Sequence, residues 1–379
     1  MSGSGTPNVD SEMPIAPTKT ADAERWYSAL TPSLLTSALR ADGLITTTEV
    51  VDRQIERVGT GQVAQSLRVT LIYDGAESGA PTSVIAKLPS QDANSLRMAS
   101  DTGAYLREVR FYQELANTLA VRCPAAHHTH LANETDFLLL LEDVGPAVSG
   151  DQLRGCSVDQ AALAMEQAAA LHASSWHDPR LTSTSWLPGV PIWRRLAGTL
   201  PQGHRAFLER FGAGLTDEQA EIIETLSREV ELWLTAIEEP RCLWHGDFRL
   251  DNMLFNAKDR EVPIVVVDWQ TVMPGPGIID TSYFLGTSIT EELRAEAEAE
   301  LVRLYHQALL DRGVNDYSWD QCWREYQMHA VFTLVMTIPA ALGVEQNKRG
   351  DEMFLKMAQR GTSQIAALDS FSALRASAR

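Results

Sequence analysis

Residues 245–252 read His-Gly-Asp-Phe-Arg-Leu-Asp-Asn, and a β-branched run, Ile264-Val265-Val266-Val267, ends sixteen residues after Asn252 in Asp268. These types and spacings supply a carboxylate that can take a hydroxyl proton, Asp247, and two hard oxygen donors, Asn252 and Asp268. Such donors suit Mg²⁺, which keeps several waters and shares its site with phosphate oxygens. The chemistry they fit is phosphoryl transfer. Taken singly, an Asp after a Gly is a turn residue and an Asp after a strand is a cap. Together they stand at the two ends of a hairpin: residues 252–255 predict a short strand, 256–261 a polar turn and 263–267 the partner strand, which returns Asp268 to Asn252. His245 reads as a brace for the loop and is given no proton to carry. Arg249 could neutralise charge developing on a transferring phosphoryl group, or simply pair with Asp251 or another carboxylate.

Several elements must position these groups. Residues 21–41 and the run from 45 to 51 predict a helix and the start of a strand; residues 54–58, 66–73 and 83–88 predict strands, with Leu67, Val69 and Leu71 on one face and Lys87 near the end of the third. Residues 100–119 switch to helical spacing and carry Glu108. The run 137–141 predicts a fully buried strand leaving through Glu142, Asp143, Val144 and Gly145. Beyond it the chain turns mainly helical: 159–176, 216–237, a helix opened by a Ser288/Glu291 capping box and reaching about 310, and one from 318 that stops before Pro339. Residues 1–20 predict a disordered tail, 21–144 a smaller unit of sheet and helix, and 145–379 a larger helical unit. His127, His128 and His130 fall in a Pro/Ala-rich stretch that reads as a connecting loop and not as a zinc site.

His-Gly-Asp-x-x-x-x-Asn followed by a strand and Asp resembles the catalytic loop and metal-binding segment of the aminoglycoside phosphotransferase and choline kinase superfamily, relatives of protein kinases. Arg107-Glu108-Val109-x-Phe111-Tyr112, Leu141-Glu142-Asp143-Val144-Gly145, Asp268-Trp269-Gln270 and Asp280-Thr281-Ser282-Tyr283-Phe284-Leu285 resemble, more narrowly, its ecdysteroid-kinase-like branch. The resemblance spans residues 46–338. It implies a bilobal α+β protein-kinase-like fold, ATP and Mg²⁺ as cofactors, Asp247 as catalytic base, and Asn252 and Asp268 as metal ligands. It further implies that Lys87 holds the α- and β-phosphates and pairs with Glu108, that backbone groups at Glu142 and Val144 receive adenine, and that Asp280 steadies the catalytic loop from a helix start. Gly59 and Gly61 also fit G-x-G-x-x-A, but the alternation that follows predicts a strand where a dinucleotide fold needs a helix. A glycine turn between two strands, covering phosphates, fits better. Trp269-Gln270 stands where protein kinases have Phe-Gly, and twelve positions from Asp268 to Asp280 leave no room for an activation segment. A constitutively assembled small-molecule kinase is implied.

Thirty-two Lys plus Arg against fifty Asp plus Glu give a net charge of −18, which argues against nucleic acid as a partner. Four scattered cysteines without C-x-x-C spacing read as reduced thiols of a cytoplasmic protein. Residues 331–344, interrupted by Pro339, are too short a run to span a bilayer, so no membrane partner is expected. The acceptor is a small hydroxyl-bearing molecule: sterol-like, macrolide-like or aminoglycoside-like, with a hydroxyacyl-CoA as an alternative. Trp176, Trp186, Trp193, Trp233, Trp319 and Trp323 could line its cleft, although most tryptophans are core. From another class, the chain could be a catalytically silent nucleotide-binding regulator, against which the intact motifs argue.

Overall fold

A computed structural model describes residues 27–59, 63–188, 190–237, 241–257, 263–344 and 346–377. The expected tail of residues 1–20, the start of the first helix and Gly61 lie outside these. The chain is an α+β molecule with an antiparallel five-stranded sheet in its N-terminal part and helices in its C-terminal part.

The first helix, α1 (Pro32–Ala41), is capped by the Thr31 hydroxyl, which accepts from Leu34 N. Strands β1 (Val50–Val58), β2 (Ala64–Tyr73) and β3 (Ser83–Pro89) follow as an antiparallel meander. Residues 45–48, expected at a strand start, instead form turns tied to Glu77, whose carboxylate accepts from the backbone of Thr46, Thr47 and Thr48. In β2 the side chains of Leu67, Val69 and Leu71 face one way, as the alternation predicts. They pack with Val84 and Ala86 of β3, and α1 covers them with Leu35, Ala38 and Leu39. Strand β5 (Asp136–Glu142) divides its residues between two cores: Leu138 and Leu140 join that layer, while Phe137, Leu139 and Leu141 face the main core. Burial on both faces explains why its sequence is an unbroken apolar run.

The expected helix over 100–119 is broken. Helix α2 (Ala93–Thr102) ends at Gly103, whose φ of 69° is left-handed, and α3 (Ala104–Arg110) starts anew there. A π-helical turn, Phe111–Leu115, and a 3₁₀ turn, Ala116–Thr118, complete the segment. The histidine stretch is also a correction. Residues Ala126–Asn133 form the edge strand β4, paired with β5 and interrupted by two register shifts. Neither an apolar alternation nor a helical period marked it, because half-exposed edge residues need supply only backbone groups.

In the helical part, α4 (Val158–Ser174) and α7 (Asp217–Ala236) open with reciprocal capping boxes, Ser157/Gln160 and Thr216/Gln219. Between them lie α5 (Val190–Ala197) and α6 (Leu200–Phe211). Helix α8 (Ile278–Ser288) is buried on every side, and Ser288 closes it; the cap of α9 (Glu291–Asp311) is Thr290, not Ser288. The expected single helix from 318 is two, α10 (Trp319–His329) and α11 (Phe332–Gly343), and Pro339 lies inside the second. An internal proline removes one helical hydrogen bond; burial of Ile338 and Ala341 on either side holds the helix through it. Helices α12 (Lys348–Ala367) and α13 (Ser370–Ser377) end the chain.

Candidate active site

Strand β7 (Cys242–Trp244) pairs antiparallel with β10 (Met273–Gly275), and the loop leaving β7 carries His245, Gly246 and Asp247. Gly246 has φ 81°, and a Cβ there would sit 2.6 Å from the Thr271 carbonyl oxygen, so only glycine fits. Asp280, in the first turn of α8 and fully buried, accepts from His245 N at 2.6 Å and Gly246 N at 3.0 Å. His172 Nε2 of α4 lies 3.2 Å from the same carboxylate. His245 braces the loop in turn: its Nδ1 accepts from Asp247 N at 3.2 Å, which leaves Nε2 to donate to Val267 O at 3.0 Å. The expected structural parts of His245 and Asp280 are thus visible as bonds.

A 3₁₀ turn, Leu250–Asn252, leads into β8 (Met253–Phe255), which lies between the short β6 (Val148–Ser149) and β9 (Ile264–Val266) and pairs with β9 in the register Met253↔Val266. This is the expected hairpin. Val267 N donates to Asn252 O at 3.0 Å, so Asp268 lies beside Asn252. Asn252 Nδ2 donates to Asp247 Oδ2 at 2.8 Å and to Asp247 O at 2.9 Å. Asp268 has φ 70°, a left-handed conformation that aspartate tolerates better than most residues and that turns its carboxylate towards β3.

Lys87 Nζ donates to Glu108 at 2.6 Å and to Asp268 at 3.1 Å, and all but a small part of it is buried. Burial alone would lower its pKa; the fields of Asp268 and Glu108 outweigh that and raise it. Burial works against the Asp268 charge too, and Lys87 overcomes it, holding that carboxyl below its usual range. The more deeply enclosed Glu108 is raised by burial, with Lys87 opposing. Glu108 also accepts from Trp269 N at 3.3 Å and Gln270 Nε2 at 3.2 Å, Arg107 Nε donates to Gln270 O at 2.7 Å, and the Phe111 ring stacks on Trp269 with centroids 4.0 Å apart.

Arg249 makes the carboxylate pairs that the sequence left open, from a half-buried position. Its Nε straddles Asp247 Oδ1 and Oδ2 at 3.0 and 3.1 Å, and its Nη1 donates to Asp251 at 3.1 Å. Burial opposes its charge, but Asp247 and Asp251 more than compensate and raise its pKa. Asp251 is shared with Arg349 at the start of α12. Gly59 follows β1 with φ 74°, and a Cβ there would meet nothing within 4 Å among the described residues. Glu142 has its N–H on Ala125 O and both carboxylate oxygens on Arg122 Nη2 at 2.9 Å, whereas Val144 N–H has no partner among the described residues.

The sequence reading missed four contributors. Asp143 ties the exit of β5 to β2 and β3 through Arg68 and Ser83. Arg107 and Gln270 lock the segment after Asp268, and the Tyr283 hydroxyl donates to Asp247 Oδ1 at 3.0 Å. All four stood inside recognised motifs, so the signal was present without a role. Of the tryptophans, Trp193 and Trp233 are core, edge-to-face with each other and packed on Phe332. Trp176 and Trp186 are partly exposed but held by Asp316 and Glu114.

The donor set fits a magnesium ion. Asn252 Oδ1 and Asp268 Oδ2 have no protein partner among the described residues, belong to residues that the Val267–Asn252 bond makes neighbours, and are both hard oxygens.

No curated protein sequence matches the chain. Its fold is similar to that of an ethanolamine kinase from Plasmodium vivax, with a TM-score of 0.52, 11% identity, and coverage of 93% of this chain and 95% of that one. It is similar to a microcompartment-associated aminopropanol kinase at TM-score 0.52 and 15% identity, covering 90% and 97%. A GDP complex of an aminoglycoside 2'-phosphotransferase IIIa gives TM-score 0.52, 15% identity, and coverage of 88% and 98%. The family model described as the phosphotransferase enzyme family (APH) matches residues 77–319, from just before β3 to the start of α10, and so takes in Lys87, Glu108, Asp247, Asn252, Asp268 and Asp280. The chain belongs to this phosphotransferase family and is a phosphotransferase enzyme.

Proposed function

We propose that the protein transfers the γ-phosphoryl group of ATP to a hydroxyl of a small organic acceptor. The observation that carries this reading is the convergence of Lys87, Asp247, Asn252 and Asp268, drawn from β3, the β7–β8 loop and the end of β9, on one locality. Lys87, held by Glu108, receives the α- and β-phosphates, and the Gly59 turn covers them. Gly61 lies outside the described residues. Val144 N–H offers a donor to adenine; Glu142 contributes through its backbone carbonyl, since its N–H and side chain are engaged. Asn252 and Asp268 would hold Mg²⁺, which when bound would neutralise charge on the phosphates.

In the reaction the acceptor oxygen bonds to γ-phosphorus, the bond from γ-phosphorus to the β–γ bridging oxygen breaks, and the acceptor proton passes to Asp247. ADP and a phosphate ester result. Arg249 lies next to Asp247 and is able to turn its guanidinium towards the γ-phosphoryl oxygens while Asp251 retains it. The functional division is residues 21–144 for nucleotide and 145–379 for catalysis and acceptor. We place the chain in the ecdysteroid-kinase-like branch on the motifs around Glu108, Asp143, Gln270 and Tyr283, and in the cytoplasm on its four free cysteines. Among the described residues no helix is long and apolar enough to cross a membrane.

The relatives' names, ethanolamine kinase, aminopropanol kinase and aminoglycoside phosphotransferase, put amino alcohols beside sterols, macrolides and hydroxyacyl-CoA in the acceptor panel. The test is purified protein with radiolabelled ATP, magnesium and that panel, alongside Asp247→Ala. Transfer to one acceptor class, lost in the variant, is expected. Equal transfer by both proteins removes Asp247 from the mechanism, and nucleotide binding without transfer to any acceptor favours a regulatory role.

A further inference from the structure

The Asp247 carboxylate is fully subscribed. A carboxylate offers about four lone-pair positions, and four contacts fill them here: Tyr283 hydroxyl and Arg249 Nε on Oδ1, both at 3.0 Å, and Asn252 Nδ2 at 2.8 Å and Arg249 Nε at 3.1 Å on Oδ2. An acceptor hydroxyl that is to give its proton to Asp247 needs one of those positions. The donors differ in their freedom to leave. Asn252 Nδ2 is anchored a second time, to Asp247 O. Tyr283 is almost wholly buried in α8, its ring packed edge-on against Phe332 with centroids 5.3 Å apart. Arg249 alone is bifurcated over both oxygens and has a second carboxylate, Asp251, to keep it once Nε lets go.

We infer that Tyr283 is a positioning residue for phosphoryl transfer: with Asn252 it fixes the plane of the Asp247 carboxylate, so that Arg249 is the one donor an acceptor hydroxyl displaces. The inference rests on the catalytic reading of Asp247. Tyr283 itself, enclosed in the core, touches no substrate. Burial and the neighbouring carboxylate keep its hydroxyl protonated and therefore a donor at all working pH values.

The test is Tyr283→Phe, which keeps the ring packing and removes only the hydroxyl. Turnover of MgATP, with water or any acceptor found, is expected to fall about tenfold or more, the worth of one hydrogen bond to a charged group. The KM for ATP and the dissociation constant for MgADP should stay within about twofold, because no phosphate contact changes. A merely structural tyrosine would lower turnover only in proportion to the fraction of protein still able to bind MgADP, or leave both unchanged. A readout independent of turnover is carbon NMR of protein labelled at tyrosine Cζ. The chain has eight tyrosines, and the resonance that vanishes in Tyr283→Phe should shift in Asp247→Asn. An unmoved resonance, or turnover unchanged in Tyr283→Phe while Asp247→Ala is inactive, overturns the positioning role and leaves the catalytic reading standing. An active Asp247→Ala overturns both.

Discussion

Replacing Asp280 by asparagine separates charge from shape at the residue on which the His245–Asn252 loop hangs. The side chain is fully buried and near-isosteric with its replacement, so packing is held constant. Oδ2 accepts from His245 N and lies within reach of His172 Nε2, and Oδ1 accepts from Gly246 N. The best orientation for asparagine puts its oxygen at the Oδ2 position and turns its NH₂ against Gly246 N–H. One charge-assisted bond is then lost outright, a buried N–H is orphaned, and the remaining bonds become neutral ones. Charged hydrogen bonds contribute about 1.5–3 kcal/mol each and neutral ones about 1, so the total is roughly 2–4 kcal/mol. At about 2 °C per kcal/mol for a chain of this size, the melting temperature should fall by roughly 4–8 °C. The freed Gly246 amide should let Asp247 drift, and misplacement by about 1 Å costs around a hundredfold in rate. Differential scanning calorimetry and MgATP turnover read the two effects. A melting temperature within about 1 °C of wild type, with turnover within about twofold, would show that the loop does not hang on the Asp280 charge.

Gly246→Ala combines a left-handed φ with a 2.6 Å approach to Thr271 O, whereas Gly43→Ala has φ 75° and open space; strain of about 1–2 kcal/mol is common to both, so calorimetry should show Gly246→Ala lower by the clash. The Glu77 carboxyl, held by hydrogen bonds from Thr46, Thr48 and Thr47, is lowered from 4.5 to about 2. Its contribution to stability is therefore present above pH 4.5 and lost as pH falls towards 2, and urea titrations of Glu77→Gln should show a shallower loss than wild type over that window. Burial pushes the thiols of Cys123, Cys156 and Cys322 up to about 12 and Cys242 higher still. A chromogenic disulfide reagent at pH 8 should accordingly find no rapidly reacting thiol until denaturant is added, and one fast equivalent in native protein would contradict the burial.

What the sequence made legible was whatever repeats a local rule. The alternation of Leu67, Val69 and Leu71 has one register that buries all three, and β2 adopts it. The span from Asn252 to Asp268 is a hairpin because β-branched residues flank a polar segment, and that pairing makes the two residues neighbours. Where tertiary structure overrules local preference the reading failed. Gly103 can sit inside a helix at modest cost or end one with a positive φ, and nothing in residues 100–119 says which. Strand β4 exists because β5 needs a partner on its open edge, not because Ala126–Asn133 is apolar. Pro339 should stop a helix, but the core around Ile338 and Ala341 carries α11 across it. Tyr283 reads as another apolar residue of a buried helix, since a hydroxyl's partner 36 positions upstream leaves no periodic trace.

The grip on Asp268 explains why a short link to Asp280 suffices. Arg107, Glu108 and Phe111 occupy adjoining turns of one helical segment, and each takes hold of residues 268–270 by a different means: Arg107 through the Gln270 carbonyl, Glu108 through Trp269 N, Gln270 Nε2 and the ammonium of Lys87, Phe111 by stacking on the indole. For Asp268 to turn away from Lys87, the bonds from Trp269 N and Gln270 Nε2 to Glu108 and the stacked rings must give way together, leaving the buried Glu108 carboxylate with Lys87 alone. A protein kinase can afford two settings of this segment because a long loop beyond it stabilises the alternative. Here the chain passes at once into β10 and the wholly buried α8, with no long loop between them. The inward setting of Asp268 is therefore a property of the folded chain, and under the role proposed for Asp247 control over phosphoryl transfer would fall to the acceptor that displaces Arg249.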